Sequence, residues 1–94
     1  MRIVSLMASE RKGKKYKVVM EADGKQHTIH FGATGYSDFL LSKSEVKKKA
    51  YIARHKVTED WSNPLTAGFW SRWLLWNKPT LSASLADIRQ RFNI

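Results

Sequence analysis

Apolar and polar residues alternate along the first third of the chain, and this alternation predicts β-strands. Two alternating segments, residues 14–21 and 26–31, flank Ala22-Asp23-Gly24-Lys25. Asp-Gly is typical of a two-residue type I′ turn, because both central positions of that turn need a positive φ. The alternation and the turn together predict an antiparallel β-hairpin.

The register set by the Asp23-Gly24 turn supports this hairpin, because it places the apolar residues of both strands on one face. That face carries Tyr16, Val18, Met20, Ile29 and Phe31, with His27 opposite Met20. The other face carries Lys17, Val19, Glu21, Gln26, Thr28 and His30. A lone hairpin is marginally stable in water. We therefore expect a third strand from Arg2 to Met7, with residues 10–13 as its turn, or a covering helix.

The rest of the chain follows a helical period. Ser42-Lys43-Ser44-Glu45 fits a capping box and predicts a helix that runs to about His55. Its apolar stripe is Val46, Ala50 and Ala53. The segment before it, residues 32–38, contains two glycines and lacks the lysine and hydroxyl spacing of a phosphate-binding loop, so a plain connector is expected.

Two further helices are predicted after residue 62. Asn63-Pro64 is typical of a helix start, and Lys78-Pro79 marks its end. The main stripe of this helix comprises Leu65, Phe69, Trp73 and Trp76, widened by Trp70 and Leu74, which makes Trp73 the expected centre of the core. Thr80 is the expected N-cap of a last helix with the stripe Leu81, Leu85, Ile88 and Phe92, and with Arg89 and Arg91 turned outward.

These elements predict an α+β fold in a single domain, residues 1–94. A β-hairpin or three-stranded meander occupies residues 1–31, and a three-helix portion occupies residues 42–92. The chain has 94 residues, 43% of them hydrophobic, and no cysteine, which excludes disulfides and thiol chemistry. No apolar run approaches the roughly 20 residues of a membrane-spanning helix. The apolar stretch at the N-terminus is too short for a secretory signal. We therefore expect neither membrane insertion nor secretion.

Positive charge is concentrated in the first part of the chain. Residues 1–56 hold 13 Lys/Arg against 5 Asp/Glu, out of a formal net charge of +9 for the whole chain. Apolar residues are threaded through this part, so the charge is expected on a folded surface. A folded basic surface favours a polyanion partner, most often nucleic acid, although lysines also keep small domains soluble.

The candidate nucleic-acid-binding residues form two groups, which combine cations with an aromatic ring in the way that phosphate neutralisation and base stacking require. The helical group is Lys43, Lys47, Lys48, Lys49, Tyr51, Arg54, His55 and Lys56, and the second group is Lys12, Lys14, Lys15 and Lys17. A solvated helix face is the alternative. Nothing in the pattern predicts base-specific contacts, since cations reach phosphates more readily than they select a sequence.

The aromatic segment 66–80 has two interpretations. Three of the four tryptophans lie within residues 70–76, and Arg72 interrupts the apolar run. As core, this segment packs between the sheet and the other helices. As interface, Trp70, Arg72, Trp73 and Trp76 stay partly exposed and bind another protein, because Trp and Arg dominate interface hot spots. We favour a structural role with partial exposure.

No enzyme motif emerges from the sequence. His27 and His30 point to opposite faces of a strand, which is unsuited to a shared metal ion. His55 has no carboxylate or histidine at ligand spacing, and the pair Glu59-Asp60 is expected in a solvated loop. Ser71 lacks a glycine elbow and a base. We therefore expect no catalytic residue, metal ion or cofactor, with a small nuclease or enzyme subunit as the weakest of three hypotheses.

The chain resembles a family of small basic proteins encoded by giant DNA viruses of algae and protists and by some large phages. The resemblance covers much of residues 14–92, and its most specific part is the run Ala67-Gly68-Phe69-Trp70-Ser71-Arg72-Trp73-Leu74-Leu75-Trp76-Asn77-Lys78-Pro79-Thr80. It also includes Lys15-Tyr16, the segment 30–39, Tyr51-Ile52-Ala53-Arg54-His55, Trp61 and Asn63-Pro64. Relatives tend to carry Thr-x-His-Lys-Asp where this chain has Leu40-Leu41-Ser42-Lys43-Ser44.

The resemblance implies a viral origin and a small α+β domain, and it supplies no catalytic site. Together with the charge, it leads to the hypothesis of a non-enzymatic protein that binds nucleic acid, double-stranded DNA above all, mainly through phosphates. The alternative is a virion structural or adaptor protein that binds viral structural proteins through its Trp-rich surface. Either protein is expected in the virion and in the viral factory of the host cytoplasm or nucleus.

Overall fold

The protein, described over residues 1–94 by a computed structural model, begins with a three-stranded antiparallel sheet in the order β1-β2-β3. The strands are β1 (Arg2–Ala8), β2 (Lys14–Ala22) and β3 (Lys25–Ala33). The helices are α1 (Phe39–Ser42), α2 (Glu45–His55), α3 (Ala67–Trp70), which continues as the π-helical segment Ser71–Leu75, and α4 (Leu81–Phe92). This confirms the α+β prediction, and it shows a meander rather than a lone hairpin.

The hairpin has the predicted turn and register. Asp23 and Gly24 both have positive φ, 53° and 75°, as a type I′ turn requires. The predicted pairs Tyr16↔Phe31, Val18↔Ile29 and Met20↔His27 are all observed. β1 pairs with β2, and its register shifts between Ile3 and Ser5, where a bulge bends the edge strand.

The core lies between one face of the sheet and α3 with its π-helical continuation. Its fully buried residues come from both sides: Val18, Met20 and Phe31 from the sheet, and Phe69, Trp70, Leu74 and Ile88 from the helices. The Trp70 ring lies 6.0 Å from Phe31 and 5.2 Å from Phe69, and its Nε1 donates to the Pro64 carbonyl at 2.7 Å. Trp70, not Trp73, is therefore the centre of the core.

The aromatic helix differs from its prediction in its bounds. Thr66 is the N-cap and accepts from the Phe69 N–H, so the helix begins at Ala67. Asn63 instead makes a turn, in which its side chain accepts from the Leu65 N–H at 3.0 Å. The helix also ends earlier than expected, with Leu75 as its last residue.

The face that this helix buries also differs from the predicted stripe. The segment Ser71–Leu75 is π-helical, so each turn holds more residues than the 3.6 of an α-helix. The wider turn rotates the later side chains away from an α-helical stripe. Consequently Leu74 and Leu75 are buried, while Trp73 and Trp76 are only half-buried.

Helix α2 starts from a different cap than predicted. The Ser44 side chain, rather than that of Ser42, accepts from the Lys47 N–H at 3.2 Å. Ser42 ends α1, a one-turn helix that the sequence analysis did not predict, and Lys43 follows it with a φ of 54°. The left-handed Lys43 separates the two helices, so a continuous capping box cannot form.

Helix α2 also buries the opposite face from the one predicted. Val46 is 79% exposed, and Ala50 and Ala53 are exposed as well. Tyr51 points inward instead and is 7% exposed. A tyrosine ring removes far more area from water than an alanine methyl group, so burial of Tyr51 decides the orientation of the helix.

The remaining elements are close to expectation. Thr80 caps α4, and its side chain accepts from the Ala83 N–H. Arg89 and Arg91 are exposed as predicted, whereas Leu81 is 37% exposed. Gly32, with a φ of +78°, lets β3 approach the core, since a Cβ there would lie 2.9 Å from the Leu75 Cδ1. No helix in the structure combines the length and apolar character needed to cross a membrane.

Candidate functional site

A cleft of about 450 Å³ lies where the ends of β2 and β3 meet the loop after β3, α2 and the start of α3. β2 contributes Lys14 and Lys15, and α2 contributes Tyr51, Arg54 and His55. The two predicted groups of cations are far apart in sequence, and this cleft brings members of both together. It is larger than the site of about 360 Å³ between β1 and α1, and it is a natural candidate for binding small groups.

One wall of the cleft is held by an ion pair. Asp38 is 2% exposed, caps α1 through the Leu41 N–H, and lies 2.7 Å from the Lys15 Nζ. The same Nζ donates to the Tyr36 carbonyl at 2.6 Å. Lys15, predicted to bind phosphates, is instead committed to fixing the loop between β3 and α1.

The interior of the cleft holds a His–carboxylate pair that the sequence analysis missed. The His55 Nδ1 contacts the Glu59 Oε2, and the Glu59 Oε1 accepts from the Trp61 Nε1 at 3.4 Å. The statement that His55 has no partner is therefore wrong. The pair has helical i,i+4 spacing, but Glu59 lies just beyond the end of α2, in the turn where its N–H donates to the His55 carbonyl at 3.0 Å.

Gly68 gives Glu59 room for this position. A Cβ on Gly68 would lie 2.6 Å from the Glu59 Oε1, which no side chain tolerates without displacing the carboxylate. The start of α3 therefore approaches the carboxylate of Glu59 closely.

Tyr51 is the floor of the site rather than a free ring for stacking. It stacks on His55 with the ring centroids 4.2 Å apart and on Trp76 with the centroids 4.9 Å apart. Burial, with the negative charge of Glu59 as a second cause, raises the pKa of Tyr51 to about 12. Tyr51 therefore stays a neutral hydroxyl group, and its prediction as an exposed stacking partner is wrong.

Three more predicted cations are also engaged within the protein. The Lys48 Nζ donates to the Asn77 carbonyl at 2.7 Å and lies 4.9 Å from the centre of the Phe39 ring. The Lys43 Nζ donates to the Leu40 and Pro79 carbonyls, and Lys17 pairs with Glu10 at 2.8 Å. These side chains hold the fold together, so they are not free to meet a polyanion without breaking those contacts.

The other predicted cations make no ion pair and no side-chain hydrogen bond. They are Lys12, Lys14, Lys47, Lys49, Arg54 and Lys56. Four of them flank the exposed face of α2. At 100° per residue, Lys47 and Arg54 share one edge of the helix, and Lys49 and Lys56 share the other.

The exposed stripe between these two edges is apolar. It consists of Val46, Ala50, Ala53 and Val57, of which Val46 and Val57 are 79% and 75% exposed. We call this stripe with its four flanking cations the outer face of α2. The edge with Arg54 borders the cleft.

The Trp-rich segment exposes fewer of its side chains than the protein-interface interpretation predicted. Trp70 is fully buried, so its ring is unavailable to a partner protein. Trp73 is half-buried, with the guanidinium groups of Arg72 and Arg91 at 4.3 Å and 4.5 Å from its ring centre. Its Nε1 donates to the Trp61 carbonyl at 2.9 Å.

Arg72 is the least satisfied polar side chain of the molecule. Its Nη1 donates to the Trp76 carbonyl at 2.7 Å, while its buried Nε has no hydrogen-bond partner. Burial, with repulsion from Arg91 as a second cause, lowers the pKa of Arg72 from its usual value. Arg72 thus stabilises the aromatic cluster by stacking rather than by an ion pair.

The histidine and acidic side chains that could bind a metal ion do not cluster. The His30 Nδ1 is 2.7 Å from the Ser9 Oγ on the face of the sheet opposite the core. No three His, Asp or Glu side chains come together in an arrangement that would hold a metal ion.

Comparison with known proteins finds one match. No curated protein and no solved structure matches the chain. A family model described as a family of unknown function, DUF5754, matches residues 4–55. The match is just over half of the chain and spans the sheet, α1 and α2, including the outer face of α2 up to His55, while the Trp-rich segment and Glu59 lie outside it. The chain therefore belongs to the DUF5754 family.

Proposed function

We propose that this protein binds nucleic acid, duplex DNA above all, through phosphate contacts made by the outer face of α2, without catalysis. The observation that carries this proposal is that each edge of this face has two cations without an ion-pair partner. One edge has Lys47 and Arg54, and the other has Lys49 and Lys56. Cations on both sides of an exposed helix match two phosphate backbones on either side of a groove.

The size of the helix supports a duplex as the partner. An α-helix with its side chains is about 10–12 Å wide, and the major groove of B-DNA is about 12 Å wide. The residues between the two edges are small, which lets the helix approach closely. Val and Ala side chains add apolar contacts with thymine methyl groups, while the cations supply most of the affinity.

The second group of cations extends this surface. Lys14 lines the same cleft as Arg54, so a phosphate backbone that passes the Arg54 edge meets Lys14 next. Lys12 is exposed in the turn before β2. These two residues increase the number of phosphates that one protein molecule neutralises.

The test is the salt dependence of duplex binding. Replacing Lys47, Lys49, Arg54 and Lys56 with Gln is expected to weaken binding to all sequences and to reduce the slope of log K against log salt by up to about 3.6, since each phosphate contact contributes about 0.9. The matched control replaces Lys25, Lys78, Arg89 and Arg11, which are exposed and unpaired elsewhere, and so removes the same charge. Equal losses in both variants would refute a site on α2.

The biological setting that we propose is a large DNA virus, with the protein in the virion or the viral factory. The resemblance of the aromatic run 67–80 to proteins of such viruses supports this setting, and a large genome that must be packaged is a suitable partner for a basic protein. Recovery of the protein, cross-linked to DNA, from purified virions tests it. Its absence from virions and viral factories would contradict it.

A virion adaptor or minor structural protein is the second candidate function. The observation that favours it is the half-buried Trp73 between Arg72 and Arg91, because Trp and Arg are the commonest interface hot spots. Under this alternative, Trp73→Ala abolishes co-purification of a viral structural protein and leaves duplex binding intact. Under the nucleic-acid proposal, the variant with Gln at Lys47, Lys49, Arg54 and Lys56 no longer binds duplex DNA and still binds any protein partner.

A further inference from the structure

The cleft beside α2 shares only Arg54 with the outer face of α2, and the rest of its lining is separate from that face. Its volume of about 450 Å³ falls within the range of small-molecule sites, about 300–1,000 Å³. Two unpaired cations, Lys14 and Arg54, line it, while His55, Tyr51 and Trp76 supply polar and aromatic groups. Two carboxylates also line the cleft, Asp38 and Glu59, and each is paired within the chain, with Lys15 and His55 respectively. The lining therefore combines two unpaired cations with aromatic rings and hydrogen-bonding groups.

Tyr36 is the most unusual residue of this cleft. Its side chain is 74% exposed, although a tyrosine ring gains more from burial than most side chains. The loop that carries it is nevertheless fixed, because the Lys15 Nζ holds both the Tyr36 carbonyl and the buried Asp38 carboxylate. The loop thus presents an aromatic ring at the rim of the cleft without using it for packing.

Two side chains inside the cleft, those of His55 and Tyr51, can form hydrogen bonds with a ligand. The His55 Nδ1 is engaged by Glu59, which leaves the other ring nitrogen without a partner in the chain. Tyr51 keeps its proton well above neutral pH, because burial raises its pKa to about 12. Such groups suit the hydrogen-bonding edge of a heterocycle, and unpaired cations suit a phosphate.

We propose that this cleft binds a single nucleotide, with its phosphate at Lys14 and Arg54 and its base against Tyr36. The source of the nucleotide is either a free nucleoside monophosphate or the phosphorylated end of a nucleic-acid strand, which present the same chemistry. The proposal goes beyond duplex binding by the outer face of α2 and does not depend on it.

Titration of the wild-type protein, followed by tryptophan fluorescence, tests the site, because Trp76 lines the cleft. The probes are AMP and UMP, with adenosine, ribose 5-phosphate and inorganic phosphate as fragments. We expect the nucleotides to bind at least about tenfold more tightly than any fragment, since phosphate and base each contribute. Inorganic phosphate binding as tightly as AMP, or no binding of AMP at millimolar concentration, would overturn the proposal.

Single-stranded oligonucleotides with and without a terminal phosphate distinguish the two sources. Tighter binding of the phosphorylated oligonucleotide than of both AMP and the unphosphorylated oligonucleotide identifies a strand end as the source. Tighter binding of AMP identifies a free nucleotide. The nucleotide site itself requires AMP to bind, and it requires AMP to compete better with the phosphorylated than with the unphosphorylated oligonucleotide if a strand end is the source.

Tyr36→Ala is the decisive variant, because Tyr36 is 74% exposed and its loss should disturb the fold little. We expect about a tenfold loss of AMP affinity, as for removal of a stacked ring, with recovery in Tyr36→Phe. Lys14→Gln is expected to weaken AMP and to leave adenosine unchanged, and Lys25→Gln is its matched control. AMP affinity unchanged in Tyr36→Ala would remove the ring from the site and overturn the proposal.

The duplex-binding proposal and the nucleotide-binding proposal can be refuted separately. Lys49→Gln with Lys56→Gln changes only the edge of α2 remote from Arg54, and so tests duplex binding without altering a lining residue of the cleft. Tyr36→Ala tests nucleotide binding without altering the outer face of α2. Loss of one activity with retention of the other shows which proposal holds.

Discussion

Helix α2 and the helix formed by α3 with its π-helical continuation are neighbours in sequence, but they are held in the molecule very differently. The aromatic helix buries Phe69, Trp70, Leu74 and Leu75 against the sheet. Helix α2 buries only Tyr51 and leaves an apolar stripe and four unpaired cations in solvent. The comparison separates a helix that lies mostly in the core from a helix that leaves most of its surface exposed.

The same contrast divides residues of one type. Lys47 and Lys49 are exposed, whereas Lys48 between them holds the Asn77 carbonyl. Trp70 is fully buried, whereas Trp73 is half-buried beneath two guanidinium groups. Residue type and spacing therefore do not tell which of these side chains supports the fold and which is free.

The largest effect is expected from the centre of the aromatic helix. Trp70→Ala should lower the free energy of unfolding by about 3–5 kcal/mol, a large part of the about 5–15 kcal/mol of a typical domain. Trp73→Ala should lower it by only about 1–2 kcal/mol, because its ring is half-buried and loses less area. Urea denaturation of both variants measures this. Equal losses would show that the two rings belong to one core.

Alkaline pH should reveal the contribution of Tyr51, the buried residue of α2. The pKa of Tyr51 is raised to about 12 in the folded protein, so the unfolded chain, with a tyrosine pKa of about 10, loses this proton first. Its stabilising contribution is complete below pH 10 and is lost as the pH rises to about 12, up to about 2–3 kcal/mol. Denaturation across this range measures the loss.

Tyr51→Phe should remove that part of the alkaline loss, because phenylalanine has no proton to release. Tyr36→Phe is the matched control, since Tyr36 is 74% exposed, and it should leave the alkaline loss unchanged. The same loss in all three proteins would contradict the burial of Tyr51 beneath α2.

The adjacent lysines of α2 should differ in their effect on stability. Lys48→Gln should cost about 1–2 kcal/mol, because it removes a charged donor from the Asn77 carbonyl and a cation from the Phe39 ring. Lys49→Gln, one residue further on, should change stability by less than about 0.5 kcal/mol. Thermal melting of the two variants compares them directly, and a larger loss in Lys49→Gln would reverse the assignment of the two faces.

The smallest effect is expected at the exposed apolar stripe. Val46→Ser should change stability by less than about 0.5 kcal/mol, because Val46 is 79% exposed and little of its side chain is buried. A loss above about 1 kcal/mol in thermal melts would show that this face is covered in solution, and the contrast between the two helices would not hold.

The sequence by itself determined the parts of this protein that depend on local chemistry. The Asp23-Gly24 turn fixed the register of the hairpin, because a two-residue turn with two positive φ values leaves one pairing. Thr80 and the apolar period after it fixed α4. The cations of the outer face of α2 were among the predicted residues, because every lysine and arginine of the segment was a candidate, but their separation from the engaged Lys43 and Lys48 was not predicted.

Only the tertiary structure decided which face of each central helix is buried. In α2 the choice lay between a stripe of small residues and one large ring, and the area buried by Tyr51 against Trp76 settled it. In the aromatic helix the π-helical turn left Trp73 at the edge of the core, packed against Phe92, and placed Leu74 and Leu75 inside it. The cleft, with His55 and Glu59 inside it and Lys14 beside Arg54, follows from the packing of α2 on the sheet. Contacts between segments distant in the chain create these features, and a periodic pattern within one segment carries no information about them.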